Sequence, residues 1–475
     1  MKHEEMGGLV HLMGIEFKTI KDLKREFQVG ALSASKLFTT LMARVEACQS
    51  GIGAFSDHLA SSGRAEAQIA DAGWRNSETA RLLEGVPIAV KDIIDTTPAR
   101  CKAGLQHLSN FRPRQDASVV AKLRQAGAVI LGVTETDAGA FGTRTLQVIN
   151  PIAPGRIVGG SSGGSAAVVC AGLAYGAIGT DTGGSIRIPA ACCSITGFKP
   201  SWGRVDGKGV RPLAPSCDHI GPLARSVSDL KLIQRVLDPD LQESERPLPS
   251  QLKIGIDQAY YECAEPKVQQ AMASAHDQLV RGGHELHAVE LPAPDDFMPF
   301  HMINVAKEAA DYHTTAFGEH WKDYPTVARD AIESGLEHTE RQYQEAQRQK
   351  HLMKKLVDGV FETVDVLLAP TLPFDAPHRD VEVASFGYRE LPILDGTVRY
   401  TALFDQTGHP ALSLPAYLMS DGRAISLQII GPRHADAFVL DVGQILETSF
   451  GAKIEYSKLI SLNAQEVSDK RRELR

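Results

Sequence analysis

Gly159-Gly160-Ser161-Ser162-Gly163-Gly164-Ser165, followed downstream by Asp181-Thr182-Gly183-Gly184-Ser185-Ile186-Arg187, sets two serines in two glycine-dense turns. Glycine lets main-chain amides approach a ligand closely and adopt positive φ. A serine flanked by Gly-Gly therefore presents its hydroxyl and the neighbouring N–H groups to one point. Acyl transfer needs that arrangement. Upstream, Gly85-Val86-Pro87-Ile88-Ala89-Val90 reads as a buried strand ending in Lys91-Asp92, charged residues at the edge of an apolar run.

Outward from this centre, helix and strand alternate as in an α/β protein. Ser118 to Ala126 reads as a short helix leading into the strand Ala128-Val129-Ile130-Leu131-Gly132. The rhythm returns with a strand at Leu252 to Ile256 and a helix whose face is Val268, Met272, Ala275 and Leu279. Gly282-Gly283 is its stop, and another strand is expected from His284 to Leu291. Val364 to Pro370 reads as a strand closed by proline. Leu37, Leu41 and Val45 mark an amphipathic helix from Ser33 to Ala47, and Leu352, Leu356 and Val360 mark one long, partly exposed helix from Leu336 to Phe361. Asp238 to Ser250, polar and proline-containing, reads as a surface connection.

At 475 residues and 43% hydrophobic content, the chain can bury a large core. A net charge of −8 with no long Lys/Arg block argues against stand-alone nucleic-acid binding, and Lys470-Arg471-Arg472, mixed with Glu473, reads as a solvated terminus. Seven cysteines at irregular spacing point to reduced thiols and a cytoplasmic setting, with Cys192-Cys193 as small apolar fillers. Met1-Lys2-His3-Glu4-Glu5 lacks the basic start of a signal peptide, and no apolar run reaches membrane-spanning length.

Several short motifs match by chance. Gly160 to Gly164 satisfies G-x-S-x-G with Ser162 as nucleophile, but the later acid and histidine on offer, Asp218 and His219, are adjacent and cannot easily form a relay. Ser33 to Lys36 and Ser228 to Lys231 match S-x-x-K inside ordinary amphipathic helices. The glycine run lacks the Gly-Lys-Ser/Thr of a phosphate loop. His284-Glu285-Leu286-His287 is one residue short of H-E-x-x-H, so neither nucleotide nor metal is implied.

What remains is an ordered constellation: Lys91 after Val-Pro-Ile-Ala-Val, Gly-Gly-Ser-Ser-Gly-Gly-Ser at 159 to 165, and Gly-Thr-Asp-Thr-Gly-Gly-Ser-Ile-Arg-Ile-Pro-Ala-Ala at 179 to 191. With Gly197-Phe198-Lys199-Pro200, Asp218 to Arg225 and Pro410 to Pro415, it resembles the amidase signature family. The resemblance implies one large α/β domain over 1–475, with a central mixed β-sheet covered by helices on both faces. Residues 85–230 would be the signature core, 1–80 a helical layer, and 251–475 the part completing the sheet and the substrate pocket.

Carried over by position, Ser185 would be the nucleophile, Ser161 a bridging serine preceded by a cis peptide bond, and Lys91 the base. The N–H groups of Thr182, Gly183, Gly184 and Ser185 would form the oxyanion hole, with Ser162, Asp181 and Arg187 as supports behind them. The residue types are chemically apt on their own account. A hydroxyl needs a neighbouring base, and lysine serves once desolvation has lowered its pKa from about 10.4. Such a scheme calls on no cofactor and no metal. Glu135 and Ala140 would lie near the acyl pocket, Glu135 where asparagine is common in the family, with further walls from Met302 to Tyr312 and Ala331 to Tyr343. A homodimer is implied by resemblance alone.

The expected activity is hydrolysis of the C–N bond of a small carboxamide or anilide. The alternatives are a glutaminase subunit of a tRNA-dependent amidotransferase, a urea or carbamate hydrolase on the same residues, and a catalytically silent binding protein. Against the glutaminase, Gly203 to Pro212 differs from the form associated with that subunit.

Overall fold

The apolar run before Lys91 is a strand at the heart of a large sheet. The computed structural model describes residues 15–76, 80–241 and 247–473. Met1 to Glu5 and the middle of the 238–250 connection lie outside the described residues. The strands are β1 (Phe55–His58), β2 (Pro87–Lys91), β3 (Val129–Thr134), β4 (Gly176–Asp181), β5 (Thr196–Lys199), β6 (His219–Ala224), β7 (Lys253–Ile256), β8 (Glu285–Ala288), β9 (Val366–Pro370), β10 (Val383–Phe386), β11 (Arg389–Pro392), β12 (Ala411–Leu418) and β13 (Ala424–Ile430).

All but β10 and β11, which pair as a separate ribbon, join one eleven-stranded mixed sheet in the order β1-β3-β2-β4-β6-β5-β12-β13-β9-β7-β8. Two parallel blocks, β3-β2-β4 and β9-β7-β8, are joined through antiparallel β6, β5, β12 and β13. These blocks are the two helix–strand rhythms visible in the sequence. Every residue of β2, β3, β4, β5, β6, β9 and β13 is buried. Successive strand side chains point to opposite faces, so complete burial means that the middle of the sheet is covered on both sides. Helices Gly163–Cys170, Val227–Leu237 and Asp436–Phe450 are among those that pack against it.

Several expectations change in detail. The helix expected from Leu336 to Phe361 is two, Thr326–Glu337 and Glu340–Val360. The break is a capping box: Thr339 Oγ1 accepts from the Gln342 N–H at 3.3 Å, and Gln342 Oε1 accepts from the Thr339 N–H at 2.9 Å. Thr339→Ala is expected to cost about 1 kcal/mol of unfolding free energy, read by urea denaturation. The strand expected over His284 to Leu291 is only Glu285–Ala288. The two S-x-x-K matches serve as ordinary helix starts: Ser33 caps Ala34–Gln49 by accepting from the Lys36 N–H, and the Ser228 match lies in a helix capped by Ser226. Asp238, placed on a surface connection, is instead buried against Arg204. Lys470 lies in a terminal helix, Tyr456–Glu473, 3.1 Å from Glu473. All seven cysteines are free, and all but Cys48 are buried. Among the described residues no helix is long and apolar enough to cross a membrane.

Candidate active site

Lys91 is the last residue of β2 and is fully buried, with Nζ 2.8 Å from Ser161 Oγ and 2.8 Å from Thr180 Oγ1. Burial lowers its pKa to about 7, against the opposing pull of the Asp137, Asp181 and Asp218 charges. Between that value and the ordinary lysine range the unfolded chain holds a proton that the native chain does not. The contribution of Lys91 to stability therefore rises with pH across this window.

Ser161 sits in the turn before helix Gly163–Cys170, and the Gly160–Ser161 peptide bond is cis. Its carbonyl accepts from Thr136 Oγ1 at 2.8 Å. Gly160 has no room for a side chain, since a β-carbon there would stand 2.3 Å from Asp137 Oδ2 and 2.7 Å from the Arg144 nitrogen. Asp137 is held in place by Thr145, whose N–H and hydroxyl donate to Oδ2 at 3.0 and 2.8 Å. Ser162 joins both glycine-rich turns. Its Oγ donates to the Thr180 carbonyl at 3.2 Å, and its N–H donates to the carbonyl of Ser185 at 3.2 Å.

Ser185 lies between β4 and the short helix Arg187–Cys192, and each residue of its loop is tied down from behind. Asp181 Oδ2 accepts from the N–H groups of Ile186 and Arg187 at 3.1 and 3.3 Å. Thr182 Oγ1 donates to Asp218 at 2.7 Å, and Thr401 Oγ1 donates to the Gly183 carbonyl at 2.5 Å. Gly184, at φ +133°, is where a β-carbon would meet Thr401 Oγ1 at 2.3 Å. Only glycine meets both the backbone angle and the contact.

Arg187, fully buried, anchors the loop. It reaches Asp181 through Nε and Nη2, each at 3.1 Å, Asp405 Oδ2 at 2.7 Å and Gln428 Oε1 at 3.0 Å. Burial alone would raise the Asp181 carboxyl, but the Arg187 charge and hydrogen bonds override it and hold the pKa below the ordinary value. Asp405 goes the other way, pushed well up by burial and by the Asp181 charge. Asp181 is thus the anionic partner of Arg187. His219, kept neutral by burial, sits with Nδ1 3.2 Å from the Asp181 carbonyl and takes no part in a relay with Asp218.

A cavity of about 610 Å3 opens over Ser185, Thr182 and Gly183. Its walls are largely apolar, with Ala140, Phe141, Met302, Val305, Ala331 and Val398 among them. Of the two pocket residues named from sequence, Ala140 lies on the wall, whereas Glu135 does not. Its carboxylate stands 3.7 Å from Lys102 and accepts from Gln147. The stretches 302–312 and 331–343 contribute through Met302, Val305, Ala306, Ala331 and Ser334, while Tyr343 turns its hydroxyl to Glu308. Sequence reasoning missed Thr180, Asp137, Thr401, Asp405, Gln428 and His301. Thr180 and Asp137 had local signals, Thr180 as the residue before Asp181 in the quoted run and Asp137 as a neighbour of Glu135 and Ala140.

A family model described as Amidase matches residues 36–440. The chain is 36% identical over 424 residues to the Amidase of Pseudomonas putida, covering 85% of this chain and 90% of that protein. It is 34% identical over 474 residues to a Glutamyl-tRNA(Gln) amidotransferase subunit of Roseiflexus sp. (strain RS-1), covering 90% and 95%. A solved structure described as the crystal structure of amidase superposes with a TM-score of 0.84 at 30% identity, over 91% of this chain and 99% of that one.

Proposed function

The chain belongs to the amidase signature family, and on that premise we propose that it hydrolyses the C–N bond of small apolar carboxamides and anilides through Ser185, Ser161 and Lys91. The observation that carries this reading is the buried Lys91 amine against the Ser161 hydroxyl, with a pKa of about 7, directly behind the loop that presents Ser185 to an apolar cavity.

In the neutral form, Lys91 Nζ accepts the Ser161 proton while an N–H donates to Thr180. Ser185 Oγ attacks the substrate carbonyl, its proton passes to Ser161 Oγ, and the Ser161 proton passes to Lys91. The developing oxyanion is held by the N–H groups of the 182–185 loop, where loss of one donor typically costs about 3 kcal/mol. As the C–N bond breaks, the proton returns through Ser161 to the departing amine. Water then attacks the acyl ester along the same path in reverse, regenerating Ser185 and releasing the acid.

A base with a lowered pKa gives a pH profile. In this scheme kcat/KM rises with pH through about 7 and then levels, because the neutral amine is the working form. An inflection in the ordinary lysine range, near 10.5, would contradict the role given to Lys91.

The second reading, a glutaminase subunit of an amidotransferase, is favoured by the similarity to the Roseiflexus amidotransferase protein over nearly the whole chain. The apolar part of the wall, Ala140, Phe141, Met302, Val305 and Val398, favours the first, whereas Asp137, Arg144, Asp330 and Glu382 on the same lining offer partners for the ammonium and carboxylate of glutamine. Assay of the isolated chain on anilides and on glutamine separates the two: hydrolysis of anilides without glutaminase activity supports the amidase, and the converse supports the glutaminase.

A further inference from the structure

His301 projects from helix Pro294–Phe317 into the cavity over Ser185, and the scheme above gives it no role. The residue is 4% exposed, and its Nε2 stands 3.0 Å from where a β-carbon on Gly183 would be. Among the described residues Nε2 has no hydrogen-bond partner, whereas Nδ1 lies 2.8 Å from Gln406 Nε2.

That second contact is the end of a chain whose direction is set elsewhere. The Glu308 carboxylate accepts from the Ser216 N–H at 2.8 Å, from the Ser216 and Tyr343 hydroxyls at 2.5 and 3.1 Å, and from Gln347 Nε2 at 3.5 Å. A carboxylate offers no proton, so the amide nitrogen of Gln347 must face it. The same nitrogen donates to Asn304 Oδ1 at 3.0 Å, which leaves Asn304 Nδ2 to donate to Gln406 Oε1 at 3.0 Å. Gln406 Nε2 then faces His301 and also donates to Cys217 Sγ at 3.1 Å. Reversing any one amide in this series sets two donors or two acceptors against each other. Nδ1 of His301 is therefore an acceptor, and in a ring that burial holds neutral the proton sits on Nε2.

We infer that His301 is a specificity residue whose Nε2–H, fixed by the Glu308-Gln347-Asn304-Gln406 chain, donates to an acceptor oxygen on the acyl group of the substrate, beside the Gly183 turn. The inference rests on the amidase reading and deepens it, from apolar amides in general to acyl groups that carry an ether or carbonyl oxygen close to the scissile bond. A buried donor left without a partner is costly, so an acyl group that satisfies it is preferred over an isostere that does not.

The test pairs two anilides of nearly equal shape, methoxyacetanilide and butyranilide, which differ by an ether oxygen in place of a methylene. His301→Phe is expected to raise KM for methoxyacetanilide about tenfold and to leave KM for butyranilide the same or lower, since no donor is then left unpaired under it, with kcat for both nearly unchanged. Equal losses on both substrates, or a loss confined to kcat, would overturn the inference, since they would mark a structural role or a donor to the oxyanion. In the full chain labelled with 15N-histidine, and with His301→Asn used to assign the signal, Nε2 is expected to show the protonated, pyrrole-type shift and Nδ1 the pyridine type. The reverse pattern overturns the inference whatever the kinetics. If the wild-type chain turns over neither anilide, the function proposed above fails, and the nitrogen shifts alone decide this one.

Discussion

Ser185→Ala is expected to yield a folded protein whose amide hydrolysis falls by at least about 10^4-fold, the loss typical when the nucleophile of such a relay is removed. The substitution deletes one oxygen from the cavity wall, and the carbonyl of residue 185 still accepts from the Ser162 N–H. The fold therefore has no reason to change, and circular dichroism and the denaturation midpoint should match the wild type. Without the hydroxyl, water must attack the amide directly. Lys91→Ala should fail to a similar extent by leaving Ser161 without an acceptor for its proton. Near-normal turnover by either purified variant would remove its residue from the mechanism.

Arg187→Met should be the most destabilising single change at the site, at about 3–5 kcal/mol, because it leaves Asp181 as a buried carboxylate without its cation. Met keeps the aliphatic stem but lacks the guanidinium, so the loss combines space left in a fully buried site with an electrostatic part, and only the electrostatic part depends on pH. The pH dependence carries a sign. In the native protein the Asp181 carboxyl is depressed, so its contribution to stability is present above the unfolded carboxylate range and is lost as pH falls through the native value. In the variant that stabilisation is gone and burial raises the carboxyl, so the deficit against wild type should shrink as the solution is acidified toward protonation of Asp181. Urea titrations of both proteins at neutral and mildly acid pH would show it. A deficit independent of pH would mean that the cost comes from packing.

The parts of this molecule legible in its sequence are those where chemistry is local. Lys91 announced itself as a cation closing an apolar strand, and two glycine-dense runs marked the turns that hold Ser161 and Ser185. Strands β2, β3, β7, β8 and β9 were legible from alternating helix and strand patterns, whereas β4 and the parallel pairing of the two blocks were not. Helix Gly163–Cys170 was hidden because every one of its residues is buried, which erases the polar stripe by which an amphipathic helix is recognised. Helix Pro294–Phe317 carries Pro299 within it and alternates polarity without a clean face. The break after His338 is itself legible in the sequence, as Thr339 with Gln342 three residues on.

The supports of the site were illegible for a different reason. Asp405 and Gln428 reach Arg187 across more than two hundred residues of chain, and Thr401 reaches Gly183 across a similar span. No pattern in a single sequence pairs residues at that separation. Their effect is nevertheless local: they hold the 181–187 loop rigid, so that its N–H groups can be set before any substrate arrives. Glu135 shows the converse, a residue adjacent in sequence to pocket residues whose side chain turns to Lys102 instead.

The central claim is that Ser185, served through Ser161 by a neutral Lys91, carries the acyl group. The most direct test is mass spectrometry of the chain quenched in acid during turnover of a slow anilide. Trypsin releases Ile157 to Arg187 as one peptide, which contains Ser161, Ser162, Ser165 and Ser185 together, so fragmentation must locate the adduct. The account predicts an added acyl mass on Ser185 alone, appearing more slowly as the pH is lowered below about 7. An adduct on Ser161 or Ser162, with Ser185 unmodified, would contradict it.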